Sequence, residues 1–188
     1  ILRFATGQNK VKKNFQNFYK DFMETTLLEV IKKNIRLQLD AGAEVVMMFD
    51  SGISSLENDF YRGKYRLLLK NISNSFPNKV GYYARGKNYN EISYLLDLPF
   101  AGLGVDSNVG LQHIFLNSKF GFIQGNFNEN HLLLDSKKLE SELNTYLDTM
   151  KNIDNLNGWV CGLGHGINKA TPEKNVHLFI ETIRKKFN

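Results

Sequence analysis

Val45-Val46-Met47-Met48-Phe49-Asp50-Ser51-Gly52 is a short apolar run closed by a carboxylate, a hydroxyl and a glycine. The run has the length of a strand. Without polar alternation, such a strand is expected to be buried on both faces, as in a parallel sheet. The same unit returns four more times. Val80-Gly81-Tyr82-Tyr83-Ala84 leads into Arg85-Gly86-Lys87, and Gly102-Leu103-Gly104-Val105 into Asp106-Ser107-Asn108. Phe120-Gly121-Phe122-Ile123 leads into Gln124-Gly125-Asn126, and Trp159-Val160-Cys161-Gly162-Leu163 into Gly164-His165-Gly166.

Helical patterns fill the intervals. Leu28, Ile31, Ile35 and Leu39 fall on one face of a helix over residues 26–41, with Gly42 as its C-terminal cap. Val11, Phe15, Phe18 and Phe22 mark an earlier helix. Residues 56–75 carry Leu56, Phe60, Leu67, Leu68 and Ile72 at helical spacing, and shorter helices are expected near 89–97 and 108–117. Residues 136–151 present Leu139, Leu143, Tyr146, Leu147 and Met150. Thr171 reads as an N-cap with Pro172 at the first helical position. The helix it opens runs to about residue 186, with Val176, Phe179, Ile180 and Ile183 on its buried face. Five β-then-α units imply an α/β domain with a parallel sheet and helical crossovers. Two architectures satisfy the pattern: an open doubly wound sheet, or part of an eight-stranded barrel lacking about three strands.

The 188 residues suffice for one domain with its own core, and a single domain over 1–188 is expected. Apolar residues at 42% and charged residues at 23% exclude a disordered chain. No apolar run approaches the ~20 residues of a membrane span, and residues 1–7 show no secretory signal pattern. The sequence opens at Ile1 without methionine and enters directly into pattern, so a trimmed or partial chain is expected. One cysteine rules out an internal disulfide and a cysteine-rich zinc site, and a reducing cytoplasmic setting is the simplest expectation. The net charge of +5 reads as a lysine-rich solvated surface. Lys12-Lys13, Lys32-Lys33 and Arg184-Lys185-Lys186 lie in helical segments, the last closing the final helix where cations suit its dipole. No basic stripe is interleaved with aromatics, so neither nucleic acid nor membrane is an expected partner.

In parallel α/β folds the carboxyl ends of all strands share one rim, where sites form. Asp50, Ser51, Arg85, Asp106, Gln124 and His165 should therefore converge. A polar pocket and a set of solvated loops both fit, and the pocket is the sharper reading. Gly162-Leu163-Gly164-His165-Gly166 has the look of a dinucleotide fingerprint, but it lacks the third glycine at the required spacing and a following strand. Its glycines are read instead as letting the backbone approach a ligand and present His165. Cys161, Met47 and Met48 are expected in the core, and Trp159 at the start of its strand. His113, His131 and His177 show no metal-ligand spacing.

At these turns the sequence resembles the uroporphyrinogen decarboxylase family. The matching stretches are Ala41-Gly42-Ala43 leading into Phe49-Asp50-Ser51, then Gly104-Val105-Asp106, Gln124-Gly125-Asn126 and Leu163-Gly164-His165-Gly166-Ile167. They run in the family's order over nearly the whole chain. The resemblance implies a (β/α)8 TIM barrel of which this chain supplies about five C-terminal units. The family's N-terminal arginine-rich loop and catalytic aspartate segment have no counterpart here. Neither does its substrate-contacting tyrosine segment, unless residues 1–7 are its tail. Within the match, Asn128-Glu129 stands where Asp-Pro is usual, Gly162 where asparagine is usual, and Ser107 where an aromatic is usual. These departures mark a divergent member.

The resemblance further implies decarboxylation of the four acetate side chains of uroporphyrinogen III to coproporphyrinogen III in heme biosynthesis. It implies no metal or organic cofactor, and a homodimer. It implies that Phe49 packs on the macrocycle and that Ser51 and His165 bind substrate carboxylates; Asp50, Arg85, Asp106 and Gln124 are weaker candidates, read as rim support. The catalytic groups would come from outside this chain, so residues 1–188 alone are expected to be inactive. Two rival readings stand beside it. One is a corrinoid-dependent methyltransferase on the same barrel; such relatives hold zinc through a histidine and two cysteines, against which the single cysteine counts. The other is a non-catalytic binding module on an open parallel sheet.

Overall fold

The computed structural model describes residues 19–55 and 58–187. A π-helical stretch, Tyr19–Leu27, runs into α1, Leu28–Asp40. The strands are β1 (Val46–Asp50), β2 (Val80–Ala84), β3 (Gly102–Gly104), β4 (Phe122–Phe127) and β5 (Trp159–Leu163). Between and after them come α2 (Arg66–Ser75), α3 (Tyr89–Ile92), α4 (Leu111–Asn117), α5 (Ser136–Lys151) and α6 (Glu173–Phe187). The earlier apolar helix around Val11, Phe15 and Phe18 lies outside the described residues. Phe22, at its end, packs half-buried against Leu27.

All strand pairs are parallel, and their order is β1-β2-β3-β4-β5. That order chooses between the two architectures. A doubly wound sheet reverses direction at a switch point, and its helices cover both faces. Here each crossover steps the same way. Right-handed connections then place every helix on one face. This α/β arrangement is consistent with part of a (β/α)8 barrel.

The helix-covered face carries the core. Val46, Val80, Tyr82, Leu103 and Ile123 of the sheet meet Ile35, Leu69, Ile72, Leu95 and Ile114. A second cluster, Phe127, Leu132, Leu139, Leu143, Leu147 and Phe179, fills the space under α5 and α6. Each such burial stabilises by about 1.5–3 kcal/mol. The opposite face is filled only in part. In one row across it, Met47 and Phe122 lean over Gly81 and Gly102, whose missing side chains leave them room. The next row toward the carboxyl ends is Phe49, Tyr83, Gly104, Gln124 and Val160.

Several expectations are corrected. β1 is not buried on both faces, since Phe49 is 67% exposed. Its apolar run marks a strand whose second face is open. β4 reaches Phe127, so Gln124-Gly125-Asn126 lies inside the strand rather than in a turn after it. The 56–75 helix is a short turn at Asn58–Phe60, a π-helical stretch at Tyr61–Tyr65, and then α2. α6 starts at Glu173, and the Thr171 hydroxyl is buried without a partner, so it makes no cap. Ile180 is exposed, and the buried residues of the helix are Asn175 and Phe179. Asn175 is fully buried because its amide donates to the carbonyls of Leu132 and Leu134 at 2.9 and 2.8 Å. No helix among the described residues is long and apolar enough to cross a membrane.

Candidate functional site

The carboxyl ends of the strands surround a cavity of about 560 Å³, lined by Phe49, Ser51, Tyr83, Gln124, Leu163 and His165 among others. Its size suits a small organic ligand. Strand alternation explains which residues of β1 face it. Phe49 projects into the cavity, its ring centroid 5.9 Å from that of Tyr83. Ser51 lines the same wall, and the buried Ile53 anchors the turn behind it.

Asp50 points the other way, toward the helices. There the hydroxyls of Tyr65 and Tyr82 both donate to its Oδ2, the latter at 2.9 Å. Burial, and after it neighbouring charge including Asp50, pushes both tyrosine hydroxyls well above their ordinary pKa, so they remain donors. Asp50 thus ties the end of β1 to β2 and to the π-helical stretch before α2.

Asp106 fastens two turns together. Its Oδ2 accepts from the Gly86 N–H at 2.8 Å and its Oδ1 from the Ser107 N–H at 2.8 Å. Arg85 is exposed and its side chain does not line the cavity. Its N–H donates to the Asp50 carbonyl at 3.2 Å. Lys87, only 3% exposed, pairs with Glu91 at 3.0 Å and lies 4.9 Å from the Tyr61 ring centre. Burial would raise the Glu91 pKa, but the Asn88 N–H and Lys87 outweigh it and the value is lowered. Asn88 and Glu91 also close a capping box at the start of α3.

The Gln-Gly-Asn stretch divides its work. Gln124 lines the cavity. The Gly125 carbonyl accepts from Trp159 Nε1 at 2.8 Å and from the Tyr146 hydroxyl at 3.1 Å. Asn126 is buried, and its amide donates to the carbonyls of Asp106 and Val109 at 2.7 and 2.6 Å. It sews β4 to the loop after β3.

His165 is half-buried on the cavity wall, with Nδ1 3.3 Å from the Gly166 carbonyl oxygen. The reading of its flanking glycines is corrected in part. A Cβ on Gly164 would stand 2.4 Å from the backbone nitrogen of Ser107, so Gly164 is needed for close packing of one turn on another, not for a ligand's approach. Gly166 has open space around it. Among the departures, Ser107 is the residue against which Gly164 packs. Asn128 accepts from the Asn130 N–H at 3.0 Å and caps the 3₁₀ turn Glu129–Leu133.

Tyr83 is the site residue that sequence reading missed. Its hydroxyl donates to the Gly164 carbonyl at 2.8 Å, across the sheet from β2 to the turn after β5. Its pKa is pushed up to about 12, first by burial and then by Asp106, with Arg85 opposing. Strand register, which the linear sequence does not carry, places Tyr83 opposite Phe49 on the cavity face. Cys161 is half-buried on the helix side, and burial pushes its thiol up to about 12, so it is no nucleophile at neutral pH. Met47 lines the cavity rather than the core. His113 packs on Tyr89, His131 faces Glu142, and His177 faces Glu173, all away from this wall.

Comparison with known proteins gives a consistent result. The family model described as Uroporphyrinogen decarboxylase (URO-D) matches residues 13–186. A uroporphyrinogen decarboxylase of Orientia tsutsugamushi (strain Ikeda) is 29% identical, the match covering 98% of this chain and 57% of that protein. Those of Chlamydia muridarum and Rickettsia bellii are 31% and 25% identical, covering 88% and 94% of this chain and 51% and 53% of theirs. The chain thus spans about half the length of these curated relatives. With a family match over all but the two ends, the chain belongs to the uroporphyrinogen decarboxylase family.

Proposed function

We propose that this chain forms the substrate-holding wall of a uroporphyrinogen decarboxylase, which converts uroporphyrinogen III to coproporphyrinogen III and carbon dioxide in heme biosynthesis. One observation carries the reading: Phe49, Ser51 and His165, on the first and last strand ends, line a single cavity. The substrate is a flexible macrocycle edged with carboxylates. An apolar ring face on Phe49 suits a pyrrole. A serine hydroxyl donates to a carboxylate, and a protonated imidazole does so more strongly.

Loss of carbon dioxide directly from an acetate on a neutral pyrrole would leave a poor carbanion. Protonation of a pyrrole ring carbon first makes the ring an electron sink. The electron pair of the breaking C–CO₂ bond flows into that ring, carbon dioxide leaves, and the exocyclic carbon takes up a proton to become methyl. Loss of the proton first added to the ring restores the pyrrole. In this reading the proton-handling aspartate and the arginines belong to a segment with no counterpart in residues 1–188. That segment would also complete the eight-stranded barrel, in a cytoplasmic homodimer. Within this chain, Asp50, Asp106 and Asn126 keep the wall in shape, while Ser51 and His165 orient one acetate toward the reacting side.

The test is turnover of uroporphyrinogen III by the intact protein that carries this chain, beside binding of uroporphyrin followed by its fluorescence. Residues 1–188 alone are expected to bind without turnover. His165→Asn is expected to lower kcat/KM by about 10- to 150-fold, the equivalent of one charge-assisted hydrogen bond of about 1.5–3 kcal/mol. Wild-type efficiency in that variant, or failure of the intact protein to turn over uroporphyrinogen III, would overturn the reading.

A further inference from the structure

Phe49 stands near the end of the first strand, Ser51 just follows it and His165 follows the fifth, so a ligand held by all three depends on the spacing between β1 and β5. Tyr83 touches both ends. Tyr83 rises from β2, next to β1, with its ring packed on that of Phe49 at 5.9 Å between centroids. Its ring lies over Gly104 of β3, and its hydroxyl donates to the carbonyl of Gly164, the residue before His165, at 2.8 Å. The span is possible because β3 carries Gly104 opposite Tyr83. A Cβ there would sit 3.1 Å from the tyrosine ring and crowd it.

The Gly164 carbonyl is a fixed target. Its own N–H donates to the Phe127 carbonyl at 2.8 Å, and its α-carbon packs against Ser107. The peptide that carries His165 is therefore held from three sides: by β4, by the loop after β3, and by Tyr83. Tyr83 also reaches Phe49. Burial keeps its hydroxyl protonated well beyond neutral pH, so the bond persists across the working range.

We propose that Tyr83 is a positioning residue that sets His165 against Phe49, so that the two ligand-facing ends of the wall move as one unit. The ligand part of this proposal rests on the carboxylated-tetrapyrrole reading above; the coupling of Tyr83 to His165 does not. Two arms separate them. In the first, without ligand, imidazole NMR signals of the four histidines are recorded in the wild type and in Tyr83→Phe. The His165 signal is assigned by its loss in His165→Asn. Tyr83→Phe keeps the ring and removes only the donor. It is expected to shift or broaden the His165 signal while those of His113, His131 and His177 stay put.

In the second arm uroporphyrin binding is measured by fluorescence in the two single variants and the double variant. Tyr83→Phe is expected to weaken binding by about three- to tenfold, the loss of one neutral hydrogen bond. That factor should vanish in the His165→Asn background if Tyr83 acts through His165. An unmoved His165 signal overturns the proposal. So does an equal loss in both backgrounds, or a Phe variant that fails to fold, since either would make Tyr83 a generally structural residue. A wild-type protein that neither binds uroporphyrin nor turns over uroporphyrinogen III defeats the tetrapyrrole reading, while the NMR arm still decides the coupling.

Discussion

Asp50 turns its back on the cavity that its neighbours Phe49 and Ser51 face, and this geometry gives it a different task from theirs. Two buried tyrosine hydroxyls converge on one of its oxygens. Removing the carboxylate strands both donors away from water, and a stranded buried donor costs about 1–3 kcal/mol. Asp50→Ala is therefore expected to lower stability by about 2–5 kcal/mol. Asp50→Asn keeps an acceptor of nearly the same shape and is expected to cost less, about 1–2 kcal/mol, since only the charge assistance is lost. Urea denaturation of both variants checks the order. If alanine costs no more than asparagine, the two tyrosines have found other partners and Asp50 does not hold the strand end. The sequence reading assigns Asp50 to rim support, apart from Phe49 and Ser51. Period-2 alternation sends it to the opposite face, and what it meets there depends on Tyr65 and Tyr82, far away in sequence.

At the scale of elements, the strand–helix alternation and most boundaries were legible in the sequence. Hydrophobic period and turn chemistry act over a few residues. α5 begins and ends where its apolar spacing does, and β2 and β5 have the expected bounds. The misplacements have long-range causes. β4 runs on through Gln124-Gly125-Asn126 because Trp159, Tyr146 and the loop after β3 supply partners to an unpromising polar stretch. α6 buries Asn175 because the carbonyls of Leu132 in the 3₁₀ turn and of Leu134 just after it accept from its amide. The glycines around His165 look alike in sequence but differ in need. Gly164→Ala would place a methyl 2.4 Å from the Ser107 nitrogen, and a backbone atom cannot swing aside. It is expected to cost about 1–3 kcal/mol, the usual range for overpacking. Gly166→Ala meets nothing within 4 Å and is expected to be close to neutral in stability. Thermal melts of the two variants decide it; equal shifts would show that the two turns are not packed as described.

For the molecule as a whole, strand order was the datum that the linear sequence did not carry. The repeated β/α pattern fits both a doubly wound sheet and a barrel wall, and only the spatial order β1 to β5 separates them. One consequence of that winding is chemical. With all helices on one face, the phenols of Tyr65 and Tyr82 and the Cys161 thiol are trapped between sheet and helices, and Tyr83 is pinned on the other side. All four hold their protons more tightly in the folded chain than in water, chiefly because burial penalises the charged form. Their folded pKa values lie above the unfolded ones, which are about 10 for tyrosine and about 8.5 for cysteine. Stability from this source is therefore complete below those unfolded values. It falls as pH rises through them toward the folded values, which reach about 12 for Tyr83 and Cys161. Glu91 acts at the opposite end. Its lowered pKa gives stability that is present above the ordinary glutamate value of about 4.3 and lost as pH falls through the folded value. Urea midpoints measured from pH 3 to pH 11.5 should therefore show a plateau with a shoulder on each side. Glu91→Gln should flatten the acid shoulder and also lower the plateau, since it takes the paired carboxylate from the buried Lys87 ammonium, and Tyr83→Phe should lessen the alkaline shoulder. An alkaline limb unchanged in Tyr83→Phe would mean that this hydroxyl is open to water and ionises as freely in the folded protein as in the unfolded chain.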